Sequence, residues 1–316
     1  EIVEVILVPW AVDTEVLAGG RLRFVEYRVK EGGEYVHRLL SGEKWPEGVL
    51  LAGVVREGTF LSFAHPEFPE LILEPGDKLL FVATQKAFSE LAAYFTEGPG
   101  VRRVMVIGGG NVGFMVAQGL LKRRVEVVIV ERNAERCQWL SEELPGALVI
   151  QGDGTDIELL EAEGMAEADA VVAVTDHDEK NLLASLLAKQ MGVRKVITRV
   201  SRSETRRLFE QVGIDLALTP RQAAVREVLD WIGPENVEHI ATLEESIEVL
   251  EVLVSEGAAP KALRDLVRPD AVPVALERDH RIFLYEEGLG LLPGDRLYLV
   301  AAREVADEVL APFFPE

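Results

Sequence analysis

Cysteine is almost absent: Cys137 is the only one in 316 residues. No intrachain disulfide can form, and the composition suits a reducing compartment. Positive charge is also short, with 33 Lys and Arg against 54 Asp and Glu and a net charge of −21. Proteins that bind phosphate backbones concentrate Lys and Arg, so this balance argues against a nucleic-acid partner and suits docking on a basic protein surface. No apolar run approaches the roughly 18–20 residues needed to span a bilayer, and no signal peptide is visible. Histidine is sparse: His37, His65, His239 and His280 are scattered, none with a second residue at metal-ligand spacing. The chain begins at Glu1 without a methionine, which suggests a fragment of a longer protein.

The stretch from Val104 to Glu131 is what the chain does have. Val104 to Ile107 is an apolar run of strand length. It meets Gly108, Gly110 and Gly113 in G-x-G-x-x-G spacing, with Gly109, Asn111 and Val112 between them. Phe114, Ala117, Leu120 and Leu121 then recur at helical period, and Val127 to Val130 form a second buried strand closing on Glu131. Glycines permit a tight turn and the close approach of a pyrophosphate. The helix N-terminus offers free N–H groups to that anion, and an acid about 20 residues on can bond a ribose diol. The strand, turn, helix and acid are all present in order, which gives the motif its weight.

Along the rest of the chain, residues 2–8 read as a strand and 12–17 as a short helix. Strands follow at 22–29, 49–55 and 71–83, the last broken by P-G-D, and a helix at 86–95 closes this part. After residue 101, strands and helices alternate through a sixth strand at 216–218, predicting a parallel, doubly wound sheet. A long helix is predicted over 222–231. Residues 291–301 (L-L-P-G-D-R-L-Y-L-V-A) then repeat 73–83 (L-E-P-G-D-K-L-L-F-V-A) at an offset of 218, from 293 − 75. Strand–proline pairs ending at Pro9 and Pro220 recur at an offset of 211, from 220 − 9. A duplicated unit of about 200 residues is implied. The expected divisions are 1–19, the tail of an absent first Rossmann lobe; 20–95, a small lobe; 96–100, a linker; 101–235, the Rossmann lobe; and 236–316, a second small lobe.

V-I-G-G-G-N-V-G (106–113), V-I-V-E-R-N (128–133), G-D-G-T-D (152–156), A-V-T-D-H-D-E-K-N (173–181), L-L-A-K-Q-M-G (186–192) and L-T-P-R-Q-A (218–223) resemble the TrkA family. Its members are cytoplasmic regulatory subunits of Trk potassium-uptake systems, built from RCK (KTN) domains. The resemblance is strong over 101–232 and weaker over 20–95 and 237–305, which look like the family's small C-terminal lobes. It implies an α/β fold with a Rossmann-like sheet flanked by two smaller lobes. It also implies a cytoplasmic location on the inner face of the membrane, a membrane potassium-transporter partner, and assembly as a homodimer or larger oligomer.

The expected ligand is NAD(H), with ATP or ADP as the alternative. Gly108 to Gly113 hold the pyrophosphate and Glu131 the ribose, which favours NAD because a 2′-phosphate would face a carboxylate. Arg132 beside it is the residue type that accommodates NADP. Asp153 ends the third strand on the adenine side. Thr175 and Asp176 end the fourth strand at the topological switch and also suit the cap of the next helix. Arg199 ends the fifth, placed for phosphate or for a surface ion pair. Asp176, Asp178 and Glu179 read as carboxylates favouring a helix start, so no metal is assigned. His177 alone lies near the nicotinamide end, and no catalytic residue is assigned. The reading is a ligand-sensing regulator; an NAD-dependent oxidoreductase is the alternative. Leu182, Leu183, Leu186 and Leu187 are too many for one buried stripe, and some are expected at a self-association surface.

Overall fold

The computed structural model describes residues 2–95, 100–219, 236–243, 246–257 and 262–313. Chain contacts divide it into two units, residues 1–9 with 97–224 and residues 10–96 with 225–316. The helix expected at 222–231 lies outside the described residues.

In the second unit, the first small lobe holds β1 (Asp13–Leu17), β2 (Leu22–Arg28), β3 (Val49–Arg56), β4 (Thr59–Ser62) and β5 (Lys78–Thr84) in the order β1-β2-β5-β3-β4. The first unit carries β6 (Arg103–Ile107), β7 (Glu126–Glu131), β8 (Ala147–Gln151), β9 (Ala170–Ala173), β10 (Lys195–Arg199) and β11 (Leu216–Leu218). Their order is β11-β10-β9-β6-β7-β8, every pairing parallel. Strand order therefore reverses between β6 and β9, the place where a doubly wound sheet opens a crevice.

The apolar runs of these strands supply two cores at once. Met105 and Ile107 face a cluster with Ala184, Leu187 and Phe209, while Val104 and Val106 face one with Val116, Ala117 and Leu120. The first cluster is closed by α5 (Ile157–Ala162), α6 (Asp178–Gln190) and α7 (Ser203–Gln211), the second by α1 (Ile2–Leu7), α3 (Asn111–Lys122) and α4 (Ala134–Glu143). α2 (Gln85–Phe95) belongs to the first small lobe.

Two expectations near the N-terminus are reversed. Residues 2–7 are a helix, not a strand: Val5 and Ile6 are buried, and Val3 packs on Gly119 of α3. A hexapeptide with four β-branched residues reads as a strand by propensity, and packing overrides that preference. Residues 13–17 are a strand, not a helix, because they pair antiparallel with β2 from Asp13↔Glu26 to Leu17↔Leu22. The strand expected from residue 71 shrinks to an isolated bridge, Leu39↔Ile72.

The second small lobe has β12 (Val237–Leu243), β13 (Ile247–Leu253), β14 (Ala271–Arg278), β15 (Arg281–Leu284) and β16 (Arg296–Ala302), followed by α8 (Arg303–Leu310). Its order, β12-β13-β16-β14-β15, matches the first lobe. The P-G-D turns match in detail. Asp77 accepts from Arg56 at 2.8 and 2.7 Å and from the Glu74 amide at 2.8 Å. Asp295 does the same with Arg278 at 2.7 and 2.6 Å and with the Leu292 amide at 2.7 Å. A buried carboxylate in a tight turn requires such partners, which is why that short sequence recurs so closely.

Candidate functional site

The crevice starts where β6 runs out. Gly108 takes φ +104°, a backbone region that side chains rarely enter, and its amide donates to the Val130 carbonyl at 2.9 Å. Gly113 permits the helix to sit on the turn: a Cβ there would lie 1.9 Å from the Gly108 carbonyl oxygen. Gly110 is different, since a Cβ there would meet nothing within 4 Å and would point into open space. It occupies the cap position of α3 with no side chain to fill it, and the first helical bond runs from the Phe114 amide to the Gly110 carbonyl at 2.9 Å. The amides of Asn111, Val112 and Gly113 therefore head the helix without intrahelical acceptors.

A cleft of about 580 Å³ opens at this point. Gly108, Gly110, Asn111, Val112, Glu131, Arg132, Asp153, Thr175, Asp176 and Arg199 all line it. Gly109 and Gly113, also expected in the site, do not. Gly109 is turned into the protein, with its Cβ position 2.3 Å from Leu140, and Gly113 closes on Gly108.

Glu131 ends β7 with both carboxylate oxygens engaged: Oε2 accepts from the Gly109 amide and Oε1 from the Asn133 amide, each at 2.8 Å. A carboxylate has about four lone-pair sites, so capacity for a diol remains. Arg136, which the sequence reading missed, holds the same residue by its next peptide: Nε donates to the Gly109 carbonyl at 2.7 Å, and the guanidinium lies 4.0 Å over Trp139. The Cys137 thiol donates to the Glu131 carbonyl at 3.2 Å. Burial, then the neighbouring Glu131 charge, pushes that thiol's pKa up, away from nucleophilic character.

On the opposite wall Asn181, fully buried, ties three elements together. Its Oδ1 accepts from the Thr175 amide at 2.9 Å and the Thr175 hydroxyl at 2.6 Å; its Nδ2 donates to the Thr175 and Arg199 carbonyls at 3.1 and 3.0 Å. Thr175 is thus a bracing residue, and it accepts from the His177 amide at 3.2 Å. Neither Thr175 nor Asp176 caps α6; the cap position is His177, without a side-chain bond. Arg199 donates from Nη1 to the Thr175 carbonyl at 3.1 Å and to Asp176 at 2.6 Å. Asp178 is spent on the Ser201 amide and hydroxyl, both at 2.9 Å at the closest approach. Among the described residues no group of three His, Cys, Asp or Glu converges as metal ligands.

Asp153 accepts from the Lys180 ammonium at 2.6 Å, the Thr155 hydroxyl at 2.7 Å and the Thr155 amide at 3.0 Å. Lys180 above all, then Thr155, holds its pKa down at about 2. Lys180, like Arg136, was missed. Its only sequence signal is its place on the first turn of the helix that follows the switch strand.

Parallel sheet, glycine turn and open helix N-terminus define a nucleotide-binding fold of the Rossmann type. Comparison with known proteins then gives the family. The TrkA-N domain model matches residues 104–220 and the TrkA-C domain model residues 24–96. The Trk system potassium uptake protein TrkA homolog 2 of Methanosarcina mazei is 37% identical over 307 residues, covering 95% of this chain and 68% of that protein. The chain belongs to the TrkA family. Its fold is similar to the GsuK RCK domain, with TM-score 0.52 and 20% identity over 95% of this chain and 65% of that one. It is also similar to the GsuK channel bound to NAD, with TM-score 0.54 and 19% identity over 98% of this chain and 57% of that one. The chain thus spans about two thirds of the length of that TrkA homolog.

Proposed function

We propose that this chain is the nucleotide-sensing part of a regulatory subunit of a Trk-type potassium-uptake system. It takes NAD(H), or alternatively ATP or ADP, in the cleft at the β6/β9 switch, and it gates ion flux by a change of conformation. The observation that carries the reading is the Gly110 cradle. A helix N-terminus with open amides and room for an anion faces a carboxylate that has lone pairs left for a ribose. Gly108 and Gly110 to Val112 hold the diphosphate, Glu131 the adenosine ribose, and Asp153 lies on the adenine side. Thr175, Asp176 and Arg199 form the far wall. Gating requires that the ligand bind one arrangement better than another.

The family name and the solved NAD complex of the GsuK channel support this reading over an oxidoreductase. So does the cleft lining. Its only described histidine, His177, has no carboxylate partner among the described residues, and the one thiol nearby has its pKa raised. Among the described residues no helix is long and apolar enough to cross a membrane. A location on the inner membrane face, docked on a transporter through the chain's excess of acid, follows from the same proposal. Steady NADH oxidation with a small carbonyl compound, followed by absorbance, would overturn the regulatory reading; none is expected.

Glu131→Ala is expected to weaken NAD by one to two decades, the worth of roughly 1.5–3 kcal/mol for a charge-assisted hydrogen bond, and NADP by less. The loss of the Gly109 and Asn133 amide bonds burdens both ligands alike, so the ratio of the two affinities isolates the ribose. An unchanged NAD to NADP ratio would remove Glu131 from the ribose.

The same proposal includes self-association. Leu182 and Leu187 turn into the core, but Leu183 and Leu186 are 46% and 37% exposed, and Leu208 and Val212 of the neighbouring helix region 53% and 44%. Such a patch suits a symmetric, self-complementary contact. Sedimentation at tens of micromolar is expected to report a dimer or larger species, and a strict monomer with and without nucleotide would rule this out.

A further inference from the structure

Among the described residues four cationic side chains line the cleft, and three of them have named ties: Arg136 to the Gly109 carbonyl, Arg199 to the Thr175 carbonyl and Asp176, and Lys180 to Asp153. The third tie differs in kind. Arg136 and Arg199 each brace a backbone carbonyl that the fold needs. Lys180 is a flexible point charge with three N–H donors, and its one hydrogen bond among the described residues goes to a carboxylate. That carboxylate keeps two other partners, the Thr155 amide and hydroxyl, whether or not the ammonium stays.

The topology places this ion pair across the crevice. Asp153 follows β8 and Lys180 opens the helix after β9, and in the sheet β8 and β9 are separated by β7 and β6. At 4.7–4.9 Å per strand the two strands lie roughly 14 Å apart, and the loop after β8 turns back to the end of β6, where a Cβ on Gly154 would lie 2.2 Å from the Ile107 side chain, so that Asp153 comes within reach of Lys180. Lys180 and Asp153 line the same cleft as the glycine turn. The two side chains are 35% and 39% exposed, so water screens the pair and opening it costs little.

We propose that Lys180 is a ligand-binding residue that exchanges its anion: without nucleotide it latches to Asp153, and with nucleotide its ammonium turns to the diphosphate. The inference rests on the nucleotide reading of the cleft and adds to it a residue and a direction. A diphosphate brings more charge than one carboxylate and so takes the ammonium, and Asp153, still held by Thr155, stays ionised as the competitor. The β8 loop and the start of α6 are then no longer joined, which gives ligand occupancy a physical route to the position of α6.

The test is the opposite sign of two substitutions, measured by calorimetry on the full chain with ADP and with NAD. Lys180→Gln is expected to weaken ADP about tenfold or more, the scale of one hydrogen bond to a charged group. Lys180→Arg, which keeps the cation, is expected to stay within about threefold of the wild type on the same scale. Asp153→Asn removes the competing anion and is expected to tighten ADP about threefold or more, a fraction of that same bond. Melting curves establish that each variant is folded. If Asp153→Asn and Lys180→Gln both weaken ADP, or if Lys180→Gln leaves it unchanged, the pair is a plain strut and the inference is overturned. A wild type that titrates neither ADP nor NAD fails at the earlier step and takes the nucleotide reading with it.

Discussion

Gly110→Asp is expected to abolish nucleotide binding, by at least about two orders of magnitude, and to leave the fold as stable as before. Both halves follow from one geometry. The new side chain meets nothing within 4 Å, and the backbone at Gly110 (φ −61°, ψ −167°) is open to any residue. Asp is moreover a favoured cap, whose carboxylate accepts from the amides of the first turn and suits the helix dipole. Those are the amides that a phosphate would need. The introduced carboxylate would therefore act as a tethered competitor, adding like-charge repulsion to the occupied space. Thermal melts with and without ADP or NAD check this directly. The expected result is an unchanged or raised melting temperature that no longer responds to nucleotide. A ligand-induced rise equal to that of the wild type would show that the nucleotide does not sit at this turn.

Gly113→Ala, three residues along the same motif, is expected to do the reverse. Its Cβ would lie 1.9 Å from the Gly108 carbonyl oxygen and 3.1 Å from the carbonyl carbon. Both are backbone atoms, and the turn that holds them is anchored to β7 through the Gly108–Val130 hydrogen bond. No side chain can swing aside, so α3 must lift from the strand it packs on. Overpacking by a single methyl typically costs 1–3 kcal/mol, and this contact belongs at the top of that range or above it, about 3 kcal/mol or more. Urea unfolding followed by circular dichroism is expected to show a lower midpoint, and weaker nucleotide binding only as a consequence. A midpoint equal to that of the wild type would mean that the helix is not seated as described. Together the two variants separate the glycine that leaves room for a ligand from the glycine that lets the backbone close.

The Rossmann unit was legible in the sequence because its signals agree at every level. Its strands are buried on both faces, so they read as unbroken apolar runs. Helices alternate with them, and the glycine spacing falls where a strand hands over to a helix. Residues 2–8 and 12–17 were not legible. A segment of six or seven residues has no period long enough to separate helix from strand, and the decision lay elsewhere: in Gly119, which admits Val3, and in β2, which pairs with residues 13–17. The strand at 237–243 went unread for the same reason as its counterpart at 13–17.

The cleft divides in the same way. Residues at strand ends, such as Glu131, Thr175 and Arg199, could be placed from topology alone. Arg136, Lys180 and Asn181 could not, because what each one does depends on a partner that only the fold brings near. Arg136 meets Gly109 from 27 positions away, and Lys180 meets Asp153 from the same separation. Asn181 looked like any polar residue on a helix, yet it is the hub that fixes the ends of β9 and β10. Capping was assigned to Thr175 and Asp176 on local spacing, but the Thr175 hydroxyl goes to Asn181 and His177, and Asp176 goes to Arg199.

Everything proposed for this chain depends on one adenine-nucleotide site at the turn between β6 and α3. A calorimetric panel of NAD, NADH, NADP, ATP and ADP against the wild-type chain tests it most directly. Saturable binding of NAD(H) or an adenine nucleotide at one site per chain is expected, with NADP weaker than NAD. No heat from any of the five would contradict it.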